Sequence, residues 1–274
     1  MNWVVLVLLL IVVGFILDRE IYFYEGAHLG PRVQSWLYDR WARKYDAGKR
    51  ASQLQDDEML ASPLLEKLNG ISEPFILDFA TGTGRLSFAV LNQPGFKGRI
   101  IALDISPGML EQAAVKLDGF AGRVEFVCHK SMPLPFPDAV FDAVGCLEVL
   151  ELLPDARSAL LEMSRVLRPG GVLLTSRGTE ESGRKRKVKS EAELTSMLKS
   201  SGFEEIQITK WWKLFDRVLA RKSGGSSAVG VKSLTEVLKC SSCGQTSWTR
   251  SQNSLRCTSC GNELTVKESG IVLN

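Results

Sequence analysis

An α/β fold, in which parallel strands alternate with helices, is what this sequence predicts, and three observations carry the prediction. Residues 75–77 and Phe79 form an apolar run around Asp78 that reads as a buried strand. Gly82 and Gly84 then turn the chain into a helical segment over residues 86–91. A second apolar run, residues 100–103, follows and ends in a carboxylate, Asp104, at about the twenty-residue distance of a ribose-binding acid.

Each part of this strand–turn–helix–strand unit has a chemical reason. Glycines belong in the turn because a ligand there approaches the backbone more closely than a Cβ allows. The helix that follows offers unpaired N–H groups at its start. A carboxylate at the end of the second strand can accept both hydroxyls of a ribose. An adenosine-containing cofactor is therefore expected across the ends of these two strands. A dinucleotide fingerprint has a third glycine where this chain has Ser87. Asp78 would repel a pyrophosphate, but it can bond an ammonium group. S-adenosyl-L-methionine has an ammonium, a sulfonium and no phosphate, and it is the preferred reading over a nucleotide.

The elements that follow continue the alternation. Residues 143–146 and 172–175 read as the fourth and fifth strands. Residues 190–202 read as a helix with Ser190 as cap and Glu193 three residues on, the capping-box spacing. Residues 205–211 and 216–220 read as a closing strand pair. Between them, residues 183–189 (GRKRKVK) form a basic run, read as a solvated loop with anionic lipid as the alternative contact.

Six segments in order resemble the class I S-adenosylmethionine-dependent methyltransferases, in particular the type 11 group that includes the ubiquinone and menaquinone biosynthesis enzymes. They are YDRWARKYD (38–46), LDFATGTG (77–84), DISPGML (104–110), LPFPDAVFD (134–142), RVLRPGG (165–171) and ARK (220–222). The resemblance implies a Rossmann-like, seven-stranded, mostly parallel sheet with helices on both faces. It places donor-binding roles on Tyr38, Tyr45, Asp78, Ala80, Gly82, Gly84, Asp104, Ile105, Met109 and Leu147. The chain departs from the family where an acidic residue usually meets the adenine amino group. Residues 128–133 here read CHKSMP, and Lys130 cannot accept a hydrogen bond. Ser131 and Met132 are the expected substitutes, through their backbone groups.

The segments outside this domain have their own signatures. Residues 3–17 are apolar without a charge and are followed by Asp18, Arg19 and Glu20. No basic residue precedes them and no small-residue cleavage site follows, so a signal peptide is disfavoured. The run reaches the low edge of the spanning range and reads as a single-pass transmembrane anchor over residues 1–20. Basic residues follow it and none precede it, which would leave the catalytic domain cytoplasmic. Residues 21–222 form the methyltransferase domain, 223–235 a Gly/Ser-rich flexible linker, and 236–274 a small module. That module carries Cys240, Cys243, Cys257 and Cys260 in two C-x-x-C knuckles, the pattern of a structural zinc ribbon, with a hairpin around residues 251–254. Its separation by the linker leads us to expect that it is dispensable for cofactor binding. Cys128 and Cys146 read as core residues.

Methyl transfer from a sulfonium needs positioning and exclusion of water more than it needs a catalytic group. The acceptor is expected beyond the fourth strand, over residues 147–154 (LEVLELLP). That segment resembles the ubiquinone O-methyltransferases, where acids and a histidine are associated with a divalent metal. Glu148 and Glu151 are kept here, Leu152 replaces the histidine, and Glu148 is the candidate catalytic residue. A net charge of +3 from 34 basic and 31 acidic residues argues against a nucleic-acid partner. The leading expectation is methylation of a membrane-associated small molecule such as a quinone, isoprenoid or lipid. The alternative is a protein- or RNA-modifying enzyme whose zinc ribbon docks the substrate through Lys239, Arg250, Arg256 and Lys267.

Overall fold

The structure is a computed structural model that describes residues 3–182 and 189–274; all but the last residue of the basic run at 183–189 lies outside the described residues. In chain order, the helices are α1 (Trp3–Asp18), α2 (Pro31–Gln53), α3 (Ser62–Lys67), α4 (Arg85–Leu91), α5 (Pro107–Lys116), α6 (Ala156–Val166), α7 (Glu191–Ser200) and α8 (Leu234–Val237). The strands are β1 (Phe75–Phe79), β2 (Arg99–Asp104), β3 (Val124–Cys128), β4 (Phe141–Cys146), β5 (Leu167–Gly178), β6 (Phe203–Trp212) and β7 (Phe215–Lys222) in the main domain. Four more follow: β8 (Trp248–Arg250), β9 (Ser254–Cys257), β10 (Glu263–Val266) and β11 (Val272–Leu273).

All the strands belong to one sheet, in the order β6-β7-β5-β4-β1-β2-β3-β11-β10-β9-β8. Strands β1 to β5 are parallel to their neighbours, and β7 and β6 close that side antiparallel. The seven-stranded expectation holds for the main domain. Every residue of β1 and β4 is buried, as required of parallel strands covered on both faces. One face carries Leu77, Leu103, Phe136, Phe141 and Leu160; the other carries Leu64, Ile76, Leu86, Ile100 and Leu110. Strand order reverses between β1 and β4, and in open α/β sheets such a switch point opens a crevice at the carboxyl ends of the strands.

At the opposite end, Asp142 ties the sheet together. It is fully buried, pairs with Arg168 at 2.6 Å and accepts from the Phe75 N–H at 3.0 Å. Arg165 likewise bonds the carbonyls of Leu134 and Phe136 together with Glu162 and Asp138. These residues explain two of the family-like segments as architecture, since removing one partner of a buried pair leaves an uncompensated charge. The capping box on α7 forms as the spacing predicts, with Ser190 and Glu193 bonded reciprocally.

Two expectations are corrected. The apolar N-terminal helix is 16 residues long, about 24 Å at 1.5 Å per residue, short of the ~30 Å hydrocarbon core of a bilayer. Among the described residues, no helix is long and apolar enough to cross a membrane. Beyond Asp18 the chain widens into a π-helical turn, Arg19–Phe23, whose charges end the apolar run. None of the side chains on α1 is buried.

The second correction concerns the C-terminal module. It is not tethered loosely: β11 pairs in parallel with β3, matching Val272 to Val127 and Leu273 to Cys128, and so extends the main sheet. The Gly/Ser segment is held along its path, with Ser226 O accepting from Arg168 at 3.0 Å and Val229 N–H donating to Asp142 at 3.1 Å. Glu125 on β3 accepts from Leu234 N–H at 2.8 Å. Leu234, Val237, Trp248, Leu255 and Val272 pack in the same apolar cluster as β1 and β4. Two of the basic residues expected to face a macromolecule are used internally: Arg250 pairs with Glu125 and Lys267 with Glu111.

Candidate active site

The crevice at the switch point is a cleft of about 1000 Å³, counting its open mouth. Its walls come from the β1–α4 turn, the end of β2 and the start of α5, the segment after β4, and one face of α2. Of the expected donor-binding residues, Tyr38, Tyr45, Asp78, Ala80, Gly82, Asp104, Ile105, Met109 and Leu147 line it. Glu148 lines it as well.

The β1–α4 turn is shaped by three successive departures from ordinary backbone. Ala80, Gly82 and Gly84 all have positive φ, at 56°, 56° and 78°. Gly84 caps α4 and does not line the cleft; a Cβ there would sit 3.0 Å from Leu117 and 3.2 Å from Ala113. Its role is close packing against α5. Asp78 is buried, and its Oδ2 accepts from Thr81 Oγ1 and Ser87 Oγ, each at 2.6 Å, and from Ser87 N–H at 3.1 Å. Ser87, which breaks the dinucleotide fingerprint, thus orients the carboxylate. Among the described residues Oδ1 takes no hydrogen bond, which leaves it for a cationic donor. Burial raises the Asp78 carboxyl above its ordinary value.

Asp104 is buried at the end of β2. Its Oδ2 accepts from Gly82 N–H at 2.8 Å and its Oδ1 from Ser106 N–H at 2.9 Å. Burial is the main reason its pKa is pushed up to about 6, with the two backbone bonds pulling the other way. Each oxygen keeps a lone pair for a diol.

Helix α2 supplies more of the site than its sequence suggested. Gln34, Tyr38, Tyr45, Lys49 and Gln53 face the cleft, at spacings of four and seven residues that mark one helical face. Asp39 accepts from Ser106 Oγ at 2.6 Å and Gly108 N–H at 2.8 Å, and Asp46 from Thr83 Oγ1 at 2.6 Å and Lys116 at 2.5 Å. The helix is thereby fastened across the cleft at both walls. Tyr38 donates to Glu25 at 2.5 Å. Burial holds the Tyr38 and Tyr45 phenols above their ordinary pKa, so both stay protonated at neutral pH.

Arg85, also missed in the sequence, is the hub of the floor. It bonds Asp56 through Nε at 2.6 Å and Nη2 at 2.8 Å, bonds Glu148 Oε1 at 2.6 Å and lies 4.5 Å from the Trp211 ring centroid. The other oxygen of Glu148 is paired with Lys49. Glu148 has φ 59°, rare for a residue with a side chain, and its N–H is held by Ser176 Oγ at 2.6 Å. The helical periodicity of α2 and the arginine next to the glycine turn were the signals that could have found these residues.

Two expectations are not met. Ser131 and Met132 lie on an exposed loop and do not line the cleft. The adjoining His129 instead contacts Asn274 through Nδ1 at 3.2 Å and Pro133 O through Nε2 at 3.3 Å, a structural role. The divalent metal implied by the O-methyltransferase resemblance also finds no ligand set. Glu148 is taken by two cations, and Glu151 turns away to accept from Gly178 N–H at 2.5 Å. Among the described residues, the one group of side chains that could hold a metal is Cys240, Cys243, Cys257 and Cys260. Their sulfurs lie within 4.8 Å of one another, with Cys240–Cys260 at 3.6 Å and Cys243–Cys257 at 3.7 Å. A tetrahedron of thiolates about 2.3 Å from zinc has edges of about 3.8 Å, so the four fit that group.

Comparison with known proteins agrees with this geometry. Residues 76–171 match a family model described as a methyltransferase domain. The ubiquinone/menaquinone biosynthesis C-methyltransferase of Francisella tularensis subsp. novicida (strain U112) is 41% identical over 101 residues, 36% of this chain and 40% of that protein. The demethylmenaquinone methyltransferase of Lactococcus lactis subsp. lactis (strain IL1403) is 32% identical over 141 residues, 51% of this chain and 56% of that protein. The chain thus spans about half the length of the curated relatives it matches, or less. Among solved structures, a SAM-dependent methyltransferase from Aquifex aeolicus superposes with a TM-score of 0.52 at 22% identity, over 61% of this chain and 92% of that one, a likeness of fold. With its Rossmann-like sheet and its glycine turn between two carboxylates, this chain carries a methyltransferase domain of the class I architecture.

Proposed function

We propose that the protein transfers a methyl group from S-adenosyl-L-methionine to a lipid-like small molecule, of which a quinone in its reduced form is the best example. The observation that carries the donor half is the pair of buried carboxylates flanking the glycine turn, Asp78 with a free oxygen and Asp104 with a lone pair on each oxygen. When bound, the donor supplies an already activated methyl group on a sulfonium. The chain's own contribution is to bind and orient it: Asp104 receives the ribose, Asp78 the ammonium, and α2 excludes water from above.

Support for a quinone-like acceptor comes from the relatives named for quinone methylation, at 32–41% identity over part of their length. The apolar side chains of α1, exposed on every side, favour work close to a lipid phase. On the same reading the catalytic domain works at the surface of a membrane on its cytoplasmic side, where the basic residues that follow residue 17 meet anionic headgroups. We assign zinc to the four cysteines as a structural ion that holds the C-terminal strands together.

The test is incubation of the protein with isotope-labelled donor and a bacterial lipid extract, read by mass spectrometry. A labelled lipid product that disappears in Asp104→Ala is expected. Loss of a charged hydrogen-bond acceptor costs about 1.5–3 kcal/mol in donor affinity. Label recovered in protein or RNA, with none in the lipid fraction, would overturn the acceptor class.

A further inference from the structure

Beside the donor cleft lies a second chamber of about 710 Å³, counting its mouth, whose lining includes Tyr22, Trp41, Leu214 and Phe215. Tyr45, Lys49 and Glu148 line both spaces. We propose that this chamber holds the methyl acceptor, an aromatic ring with an ionisable hydroxyl and an apolar tail, with the hydroxyl at Lys49 and the tail leaving past Tyr22. This rests on the methyltransferase reading and specifies its second substrate site.

Three observations carry it. The first is continuity. Tyr45, Lys49 and Glu148 belong to the lining of both spaces, so the two meet at these side chains and a ring held between them faces the donor cleft. The second is the chemistry of the lining. Four of its eight residues are aromatic and Leu214 adds an aliphatic surface, which suits a flat apolar ring. Tyr22 belongs to the turn that continues directly from the apolar helix α1, so a tail leaving there meets apolar surface.

The third observation concerns the charges at the shared wall. Both Arg85 and Lys49 pair with Glu148, but they are held very differently. Arg85 is fixed by Asp56, by the Ser52 carbonyl and by the Trp211 ring. The ammonium of Lys49 has Glu148 as its one ion-pair partner among the described residues, with the Tyr45 ring centroid 5.7 Å away. Lys49 is thus the cation that can be released. The left-handed backbone at Glu148 stores strain at this junction, as functional sites commonly do.

The step is a transfer of one proton and one ion pair. The acceptor hydroxyl gives its proton to Glu148 while the Lys49 ammonium moves from that carboxylate to the oxygen left negative. Charge at the junction is conserved, and the oxyanion makes the ring electron-rich enough to take a methyl group. The methylated ring carbon then loses its own proton to solvent as the ring regains aromaticity, and Glu148 returns its proton to the oxygen. Lys49 holds the charge and Glu148 holds the proton.

The test uses 2-decyl-1,4-naphthohydroquinone, kept reduced in detergent micelles, as acceptor probe and S-adenosylhomocysteine as donor-site probe. Both should bind the wild-type protein. Leu214→Trp, which fills the chamber away from the donor residues, should weaken the hydroquinone at least tenfold and leave S-adenosylhomocysteine within twofold. Lys49→Met gives a second reading on a different element. In wild type the bound hydroquinone should show its ionised absorbance at a lower pH than when free, and in this variant that shift should vanish. Wild-type protein that binds S-adenosylhomocysteine but not the hydroquinone overturns the proposed acceptor. Hydroquinone binding unchanged in both variants overturns the chamber. Failure of wild type to bind S-adenosylhomocysteine overturns the methyltransferase reading itself.

Discussion

Deleting residues 271–274 should destabilise the whole methyltransferase domain, although they lie far along the chain from its glycine turn. Ile271 and Val272 are both fully buried, and they point into opposite layers of the core. Asn274 N–H donates to Cys128 O at 3.0 Å and Lys267 N–H to Ile271 O at 2.9 Å. Each aliphatic side chain contributes about 1.5–3 kcal/mol, and each backbone hydrogen bond about 0.5–1.5 kcal/mol. The deletion should therefore cost on the order of 4–9 kcal/mol as an upper bound. Small-domain stabilities are only about 5–15 kcal/mol, so this loss is large enough to unfold part of the population. Urea denaturation followed by tryptophan fluorescence measures it, with S-adenosylhomocysteine titration as the second readout. Donor affinity should fall too, because β3 pairs Cys128 with Asp104 and the His129 N–H bonds Asp104 O at 3.0 Å. A loss below about 1 kcal/mol, with donor binding unchanged, would refute the argument and return the C-terminal module to the status of an appendage.

Donor binding should weaken in acid. Asp104 must be ionised to accept the diol, and its raised pKa of about 6 means that it takes up a proton as pH falls below that value. Affinity should be level above pH 7 and drop roughly tenfold by pH 5, one decade per unit below the pKa; a flat calorimetric profile from pH 7 to 5 would exclude Asp104 as the acceptor. Gly84→Ala forces a Cβ against Leu117 and Ala113 in a left-handed backbone, and thermal unfolding should register a loss of about 1–3 kcal/mol. In Cys257→Ser, elemental analysis should find zinc reduced from about one per chain to a small fraction. The melting of the full chain should fall with it in a single transition, because the strands around the cysteines share the main core. Two separated transitions would show that the module folds independently.

Much of the donor site was legible because its chemistry is local. A strand, a turn that demands positive φ and a carboxylate at fixed distance are encoded within thirty residues or so, and Asp78, Gly82 and Asp104 do meet in one cleft. Periodicity placed β1, β2, β4 and the capped helix α7 for the same reason. Contacts between distant segments were not legible. Arg85 and Lys49 meet at Glu148 only because α2 folds back over the sheet, 63 residues from one partner and 99 from the other. The glycine- and serine-rich composition of residues 223–230 spoke for a free tether, yet Arg168 and Asp142 hold that stretch against the sheet. Composition reports what a segment can do alone; it carries no information on whether an open sheet edge lies within reach. The sequence by itself determined the α/β alternation, the donor-binding turn and the four-cysteine cluster, since each depends on neighbours in the chain. Only the tertiary structure decided that β3 leaves an edge that β11 fills, and that α2 completes the site. Both follow from burying backbone and apolar surface that no local pattern records.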